Sequence, residues 1–248
     1  MDCKFFSKIA LLLIIPSVLA AQVPDKFTNL KILPKTISKE DLLKVMRSFS
    51  EGLGARCDFC HAENKLKANS MDYASDDKTP KLVARIMLNM TNDINKNDLS
   101  KLNDFDKFKD DIVEVKCITC HHGVTIPETL SQVLMDVIKT QGAEEAVNTY
   151  HKLYDQYYGG FSYNFKDNSL AELTQMLIQD KNYDAAMKFS NLNVEMYPKS
   201  GLAYFALGQT YEAAGDKAKA IENIKKALEL SPGNMFFSRK LQELQSSN

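Results

Sequence analysis

Cys57-Asp58-Phe59-Cys60-His61 is the stretch on which the reading of this chain turns, and Cys117-Ile118-Thr119-Cys120-His121 repeats it. In each copy two thiols stand two residues apart and an imidazole follows at once. Such a segment lets both thiols add to the vinyl groups of a haem while the histidine takes one axial position on the iron. The sequence therefore predicts two covalently bound haem c groups, one on Cys57, Cys60 and His61, the other on Cys117, Cys120 and His121. Three plainer uses of the cysteines compete. Four thiolates can hold a tetrahedral zinc, but the intervening segment is long for a zinc ribbon and both histidines go unused. A thioredoxin-like redox pair needs a βαβ surround that neither copy has. Two disulfides are the default for four cysteines in an exported chain, and they too leave the histidines without a role.

Export is read from the N-terminus. Lys4 and Lys8 precede an apolar run from Ile9 to Ile15, then Pro16 and the small-residue end Ala20-Ala21. This is the three-part form of a secretory signal, so residues 1–21 are expected to be removed, Cys3 with them. The run is shorter than the roughly 20 apolar residues of a spanning helix, which makes a retained anchor the lesser alternative. The expected location is the periplasm, soluble or peripheral to the inner membrane. The chain carries 31 basic and 32 acidic residues, a formal charge of -1, with no long run of either sign. That balance excludes a nucleic-acid footprint.

Upstream of each cysteine pair lies an amphipathic helix. Ser38 and Asp41 form a capping box, after which Leu42, Val45, Met46, Phe49 and Leu53 recur at helical spacing until Gly52 and Gly54 end the run. Met46 is central in that stripe, where a methionine can pack as core or reach an iron. The second helix is expected to begin with Thr79 as its cap and Pro80 at its first helical position. Leu82, Val83, Ile86, Met87, Met90 and Ile94 then share one face. Met87 and Met90, three apart, point the same way, and one iron can use only one of them. The two units share an order of capped helix, central methionine, connection and haem motif, an internal repeat at the level of pattern.

These residues resemble the cytochrome c subunit of photosynthetic reaction centres and its relatives in non-photosynthetic bacteria. The likeness runs through Val45-Met46-Arg47-Ser48-Phe49, Leu53-Gly54 and Cys57 to His61. It continues in Asp72-Tyr73-Ala74-Ser75-Asp76, Ala84-Arg85, Met87, Met90-Thr91, Ile94-Asn95 and Val115 to Gly123, covering residues 28–127. The resemblance implies that a methionine of the preceding helix completes each iron: Met46 for the first haem, Met87 for the second, with Met90 as the alternative. The family's subunit has four haem units and this chain has two, so a light-driven role is not implied. His122 stands where the family has arginine, and the connection from Met87 to Cys117, with Asp104, Asp106, Lys107, Lys109, Asp110 and Asp111, is longer. Its charges are expected on a solvated loop or helix face.

The C-terminal half reads differently. Tyr204, Leu207-Gly208, Tyr211, Gly215, Ala220, Ile224, Ala227 and Pro232 fit the large, small and helix-ending positions of one tetratricopeptide repeat, a unit of about 34 residues. One unit back, Leu173, Ala186 and Pro198 match, while Thr174 and Leu177 depart from the small and aromatic positions. Leu134, Ala146, Tyr150 and Leu153 mark a further degenerate hairpin, and Phe236 to Leu244 a capping helix. Tyr154, Tyr157, Tyr158, Phe161, Tyr163 and Phe165 cluster before the repeats and are expected to pack between the two halves. His151 is read as a surface or boundary residue.

The expected protein is all-α, with a signal at 1–21, a dihaem domain at 22–127, a hairpin and aromatic linker at 128–165, and repeats with a capping helix at 166–248. Two His/Met haems suit a periplasmic electron carrier without substrate turnover. Its expected partners are redox proteins, some membrane-bound, and proteins docked on the repeats. The alternatives are a dihaem peroxidase-type enzyme with one open haem and a scaffold of repeats stabilised by zinc or disulfides.

Overall fold

The first helix forms where the capping box places it. Ser38 Oγ accepts the Asp41 N–H at 3.1 Å and donates to the Asp41 carboxylate at 2.8 Å, opening α1 (Lys39–Leu53). The computed structural model describes residues 24–105, 107 and 112–246. The expected signal segment, Cys3, and Asp106, Lys109, Asp110 and Asp111 of the charged connection lie outside the described residues.

Among the described residues the chain is all-α but for one small hairpin. After α1 come α2 (Cys57–Cys60), β1 (Ala62–Glu63), β2 (Met71–Asp72) and α3 (Thr79–Asp93). A π-helical turn (Ile94–Asp98) and a 3-10 turn (Leu99–Asp104) lead towards α4 (Cys117–His121). Then follow α5 (Leu130–Gln141), α6 (Ala143–Tyr157), α7 (Asp167–Gln179), α8 (Tyr183–Met196), α9 (Gly201–Ala213), α10 (Lys217–Leu230) and α11 (Met235–Ser246). The hairpin pairs Ala62 with Asp72 and Glu63 with Met71, and periodicity does not foresee it. Its turn is built by Asn64, whose Oδ1 accepts the N–H groups of Leu66 and Lys67. Among the described residues no helix is long and apolar enough to cross a membrane.

Two details of α3 correct the sequence reading. Lys78, not Thr79, occupies the cap position, extended at φ -102° and ψ 120° and without a side-chain cap bond. Lys78 is held there as its ammonium donates to the Asp58 carbonyl. The α-helical stripe also stops one residue early, because Ile94 opens the π-helical turn.

The chain divides into two compact units. One comprises residues up to Ser50 and Ala55–Lys116, the other Glu51–Gly54 and Cys117 onward. The second motif is thus grouped with the helical array. The first unit has almost no apolar interior: among its described residues Leu42 and Thr91 alone are buried.

The second unit is built around side chains. Leu130, Leu134, Tyr150, Phe165, Leu170, Leu173, Leu177 and Phe189 form one core from the first hairpins. Phe205, Ala220, Ile224, Ala227, Phe237 and Leu244 form another under α9, α10 and α11. A Cβ on Gly208 would sit 2.7 Å from Ile224 Cγ1, which is why the repeat needs its small residue there. Thr174 is tolerated at the earlier small position because its hydroxyl, though buried, donates to the Leu170 carbonyl at 2.8 Å. Caps are made by Thr129 with Gln132, and by Asn182, Ser200 and Asp216. The aromatic cluster packs into this unit's own core: Tyr157 and Tyr163 meet edge to face at 5.4 Å, as do Tyr154 and Phe165. Phe161 and Tyr158 of that cluster are exposed. His151 is exposed too, its ring on the edge of Tyr150 at 5.5 Å.

Candidate functional site

The first motif folds as a single turn. His61 closes α2, its N–H donating to the Cys57 carbonyl at 2.9 Å. One helical turn is the geometry that sets two thiols side by side with the imidazole next to them. Both thiols are free, Cys57 exposed and Cys60 half-buried. Burial pushes the Cys60 thiol up, against the pull of Lys78, so it stays protonated at neutral pH.

The His61 ring packs against Tyr73 edge to face, at 5.1 Å between centroids. Burial and the nearby Lys81 ammonium hold its imidazole below the usual histidine range, in the neutral form an iron ligand needs. Its buried Nδ1 has no hydrogen-bond partner among the described residues.

Tyr73 is placed by a clamp from α3. Lys81 donates to the carbonyls of Tyr73, Ala74 and Ser75 at 2.9, 3.1 and 2.6 Å. Asp72 Oδ1 accepts the Ala74 and Ser75 N–H groups at 3.0 and 2.9 Å, folding the loop back on itself. Asp76 receives Arg85 at 2.9 Å, Asn29 at 2.9 Å and Lys81 at 3.3 Å. The Arg85 guanidinium, then Asn29, hold the Asp76 carboxyl far below the usual carboxylate range. The run Asp72 to Asp76 and the residue Arg85, singled out in the sequence by resemblance, are thus the parts of one clamp.

Asn95 makes a second long-range tie in the first unit. Its Nδ2 donates to the Val115 carbonyl at 2.9 Å and its Oδ1 accepts the Val115 N–H at 2.8 Å. One side chain so replaces a strand neighbour two residues before Cys117.

The second motif is held by the second unit's backbone. A Cβ on Gly52 would lie 2.9 Å from Ile118 N and 3.0 Å from Cys117 Cβ. A Cβ on Gly54, at φ +59°, would lie 2.0 Å from the Gly123 carbonyl oxygen. The Gly123 N–H donates to the Gly52 carbonyl at 3.0 Å. His121 Nδ1 stands 3.0 Å from the Val124 carbonyl. A carbonyl can only accept, so Nδ1 is the donor of this bond and Nε2 is the nitrogen left to face an iron. Cys117 and Cys120 are also free thiols, and burial pushes the Cys117 thiol up.

Met46 lies half-buried on α1. Met87 and Met90 are 38% and 46% exposed on α3, beside the similarly open Leu82, Val83 and Ile86. An open stripe of five large apolar side chains on a fifteen-residue helix is what a flat apolar group would cover. The raised Cys60 and Cys117 thiols, the neutral His61 imidazole and this open stripe fit haem. Raised thiols suit zinc less, which needs thiolates. Among the described residues no three His, Cys, Asp or Glu side chains gather as a metal cluster. The edge contact of Tyr73 and the Val124 carbonyl were not foreseen in the sequence, since nothing in local spacing marks either.

Residues 17–182, more than half of the chain, match the family model of the photosynthetic reaction centre cytochrome C subunit, and residues 201–234 match that of the tetratricopeptide repeat. A curated relative, the photosynthetic reaction center cytochrome c subunit of Roseobacter denitrificans, is 29% identical over 108 residues, 43% of this chain and 26% of its own length. The chain spans about a quarter of that relative. Among solved structures, MamA from residue 41 on, of Desulfovibrio magneticus RS-1, is 20% identical, covering 67% of this chain and 83% of that one at a TM-score of 0.34. The first tetratricopeptide domain of Spaghetti, bound to an HSP90 peptide, is 20% identical and covers 47% and 87% at 0.33.

Proposed function

The chain belongs to the photosynthetic reaction centre cytochrome C subunit family, and on that premise we propose that it is a two-haem electron carrier of the periplasm. The observation that carries this reading is the pair of Cys-x-x-Cys-His turns, each offering two free thiols beside an imidazole. Family membership brings covalent haem c; the count of two rests on the two turns. Cys57 and Cys60 would hold one group with His61 as ligand, and Cys117 and Cys120 the other with His121. Met46 is proposed as the distal ligand of the first iron and Met87, with Met90 as alternative, of the second. When bound, each haem supplies one reversible electron at its iron.

The chain's own residues do the rest. The clamp of Lys81, Arg85 and Asp76 fixes Tyr73 against the His61 ring and limits its rotation. The Val124 carbonyl holds the His121 proton at Nδ1, so that Nε2 faces its ligand position. Held by Met46 and Met87 thioethers beside His61 and His121, the haems would have a higher reduction potential than with imidazoles alone, which would suit exchange with high-potential redox proteins, some membrane-bound. With a histidine and a methionine of this chain holding each group, no position would be left for substrate, so no turnover is proposed. The repeats are proposed to dock a protein partner. Export by the segment at 1–21 places the protein in the periplasm.

Pyridine-haemochrome quantification of protein matured with the haem-attachment machinery tests the reading. Two haems per chain are expected, and none or one overturns it. Replacing Met46, Met87 and Met90 singly with alanine should abolish the methionine-to-iron absorption band of one haem for each true ligand. Carbon monoxide binding by the unaltered reduced protein would instead favour a peroxidase-type open haem.

A further inference from the structure

A side chain of the helical array reaches the second motif. Ser162, in the loop between α6 and α7, donates from Oγ to the His122 carbonyl at 2.7 Å. His122 is one of three described residues other than glycine with positive φ, at 51°, and Gly123 follows at 85°. Two consecutive left-handed residues are a costly way to leave a helix when the first carries a side chain. The turn they make has one evident product. It swings the Val124 carbonyl back to His121 Nδ1, while the Val124 N–H closes on the His121 carbonyl at 2.9 Å.

The other end of the tie is rigid. Tyr163, next to Ser162, packs edge to face on Tyr157 and at 6.1 Å on Phe165, which is buried in the core of the hairpins. Ser162 itself is half-buried, and its Oγ lies 3.5 Å from where a Cβ on Gly123 would stand.

We propose that Ser162 is a positioning residue for the second haem. By fixing the His122 carbonyl it holds the left-handed turn that aims the Val124 carbonyl at His121 Nδ1, and so lets the helical array set the basicity of that ligand. The proposal rests on the reading of His121 as an iron ligand. A strong Nδ1–H···O=C bond makes the imidazole a better donor and favours the oxidised iron, because donation stabilises the higher charge. Loosening the turn weakens the bond and raises the potential of that haem alone.

The test is a spectroelectrochemical titration of the mature two-haem protein beside its Ser162→Ala, Ser162→Thr and Ser162→Val variants. Threonine keeps the hydroxyl and valine has its shape without it, so this pair reads the bond even if the alanine variant fails to mature. One reduction step should move upward in Ser162→Ala and Ser162→Val, by up to about tenfold in its equilibrium constant, or about 59 mV for one electron. The other step should stay, and Ser162→Thr should match the unaltered protein. No movement of either step, or equal movement of both, overturns the proposal. Haem quantification on the unaltered protein keeps the two failures apart: fewer than two haems refutes the underlying reading and the proposal with it, whereas two haems with unmoved steps refutes the proposal alone.

Discussion

The two compact units solve the problem of a small fold in opposite ways. The second fills its interior with its own side chains, from Leu134 and Phe189 in one cluster to Ile224 and Phe237 in the other. It also closes helix starts with side-chain caps at Asn182, Ser200 and Asp216. The first buries only Leu42 and Thr91 among its described residues, leaves the apolar stripe of α3 open, and starts α2 and α3 without a side-chain cap bond. Its order comes from polar ties: Lys81 and Arg85 to the loop at 72–76, and Asn95 to Val115. Polar ties at a surface contribute little to stability compared with apolar burial. A segment so built needs a large apolar partner, and the thiols of Cys57 and Cys60 lie in the same unit to bind one.

The sharpest way to break this contrast is to remove the attachment chemistry. In the variant with Cys57, Cys60, Cys117 and Cys120 all changed to serine, hydrogen exchange should find α1 and α3 wholly unprotected while α7 to α10 keep full protection. Persisting protection in α3 would show that the first unit has an interior of its own.

Next in size is the converse experiment. Phe189→Ala should cost the helical array about 3–5 kcal/mol in denaturant unfolding, as large-to-small core changes do, and leave the absorption spectrum of the first haem unmoved. A change in that spectrum would mean that the units do not fold apart.

A smaller effect belongs to the clamp and depends on pH. The folded Asp76 carboxyl titrates below its ordinary value of 3.8, so its stabilisation is complete above that value and is lost as pH falls below it towards the depressed one. Acid titration followed by NMR should show Tyr73 leaving the His61 ring only well under pH 3.8. In Asp76→Asn that departure should lose its pH dependence, with the array unaffected. The smallest expected change is Asp216→Ala, about 1 kcal/mol from one lost cap, confined to thermal unfolding of the array.

Much of this contrast is legible in the sequence. The cysteine pairs, the capped helix after Ser38, and the repeat through Gly208, Ala220 and Pro232 are local patterns, and local patterns survive in a linear string. What escapes is long-range and polar. Asn95 meeting Val115, Tyr73 on the edge of His61, and Ser162 under His122 each join residues with no periodic relation. The aromatic cluster shows the same limit: composition marks its existence, yet only packing assigns it to the core of one unit. The cap of α3 falls on Lys78 and not on Thr79, while the Lys78 ammonium reaches the Asp58 carbonyl twenty residues back.

The two hydrogen bonds between Asn95 and Val115 bear on how this chain tolerates change. They fasten both ends of the connection that runs from the π-helical turn to the second motif, so what lies between is a closed loop. Lengthening a closed loop is cheap, about 0.6 kcal/mol for each doubling, and leaves the fastened ends where they are. Added length in this connection is therefore no burden to the neighbouring cysteines. The same stretch is where a reporter peptide could be spliced in without touching either thiol pair, as long as Asn95 stays.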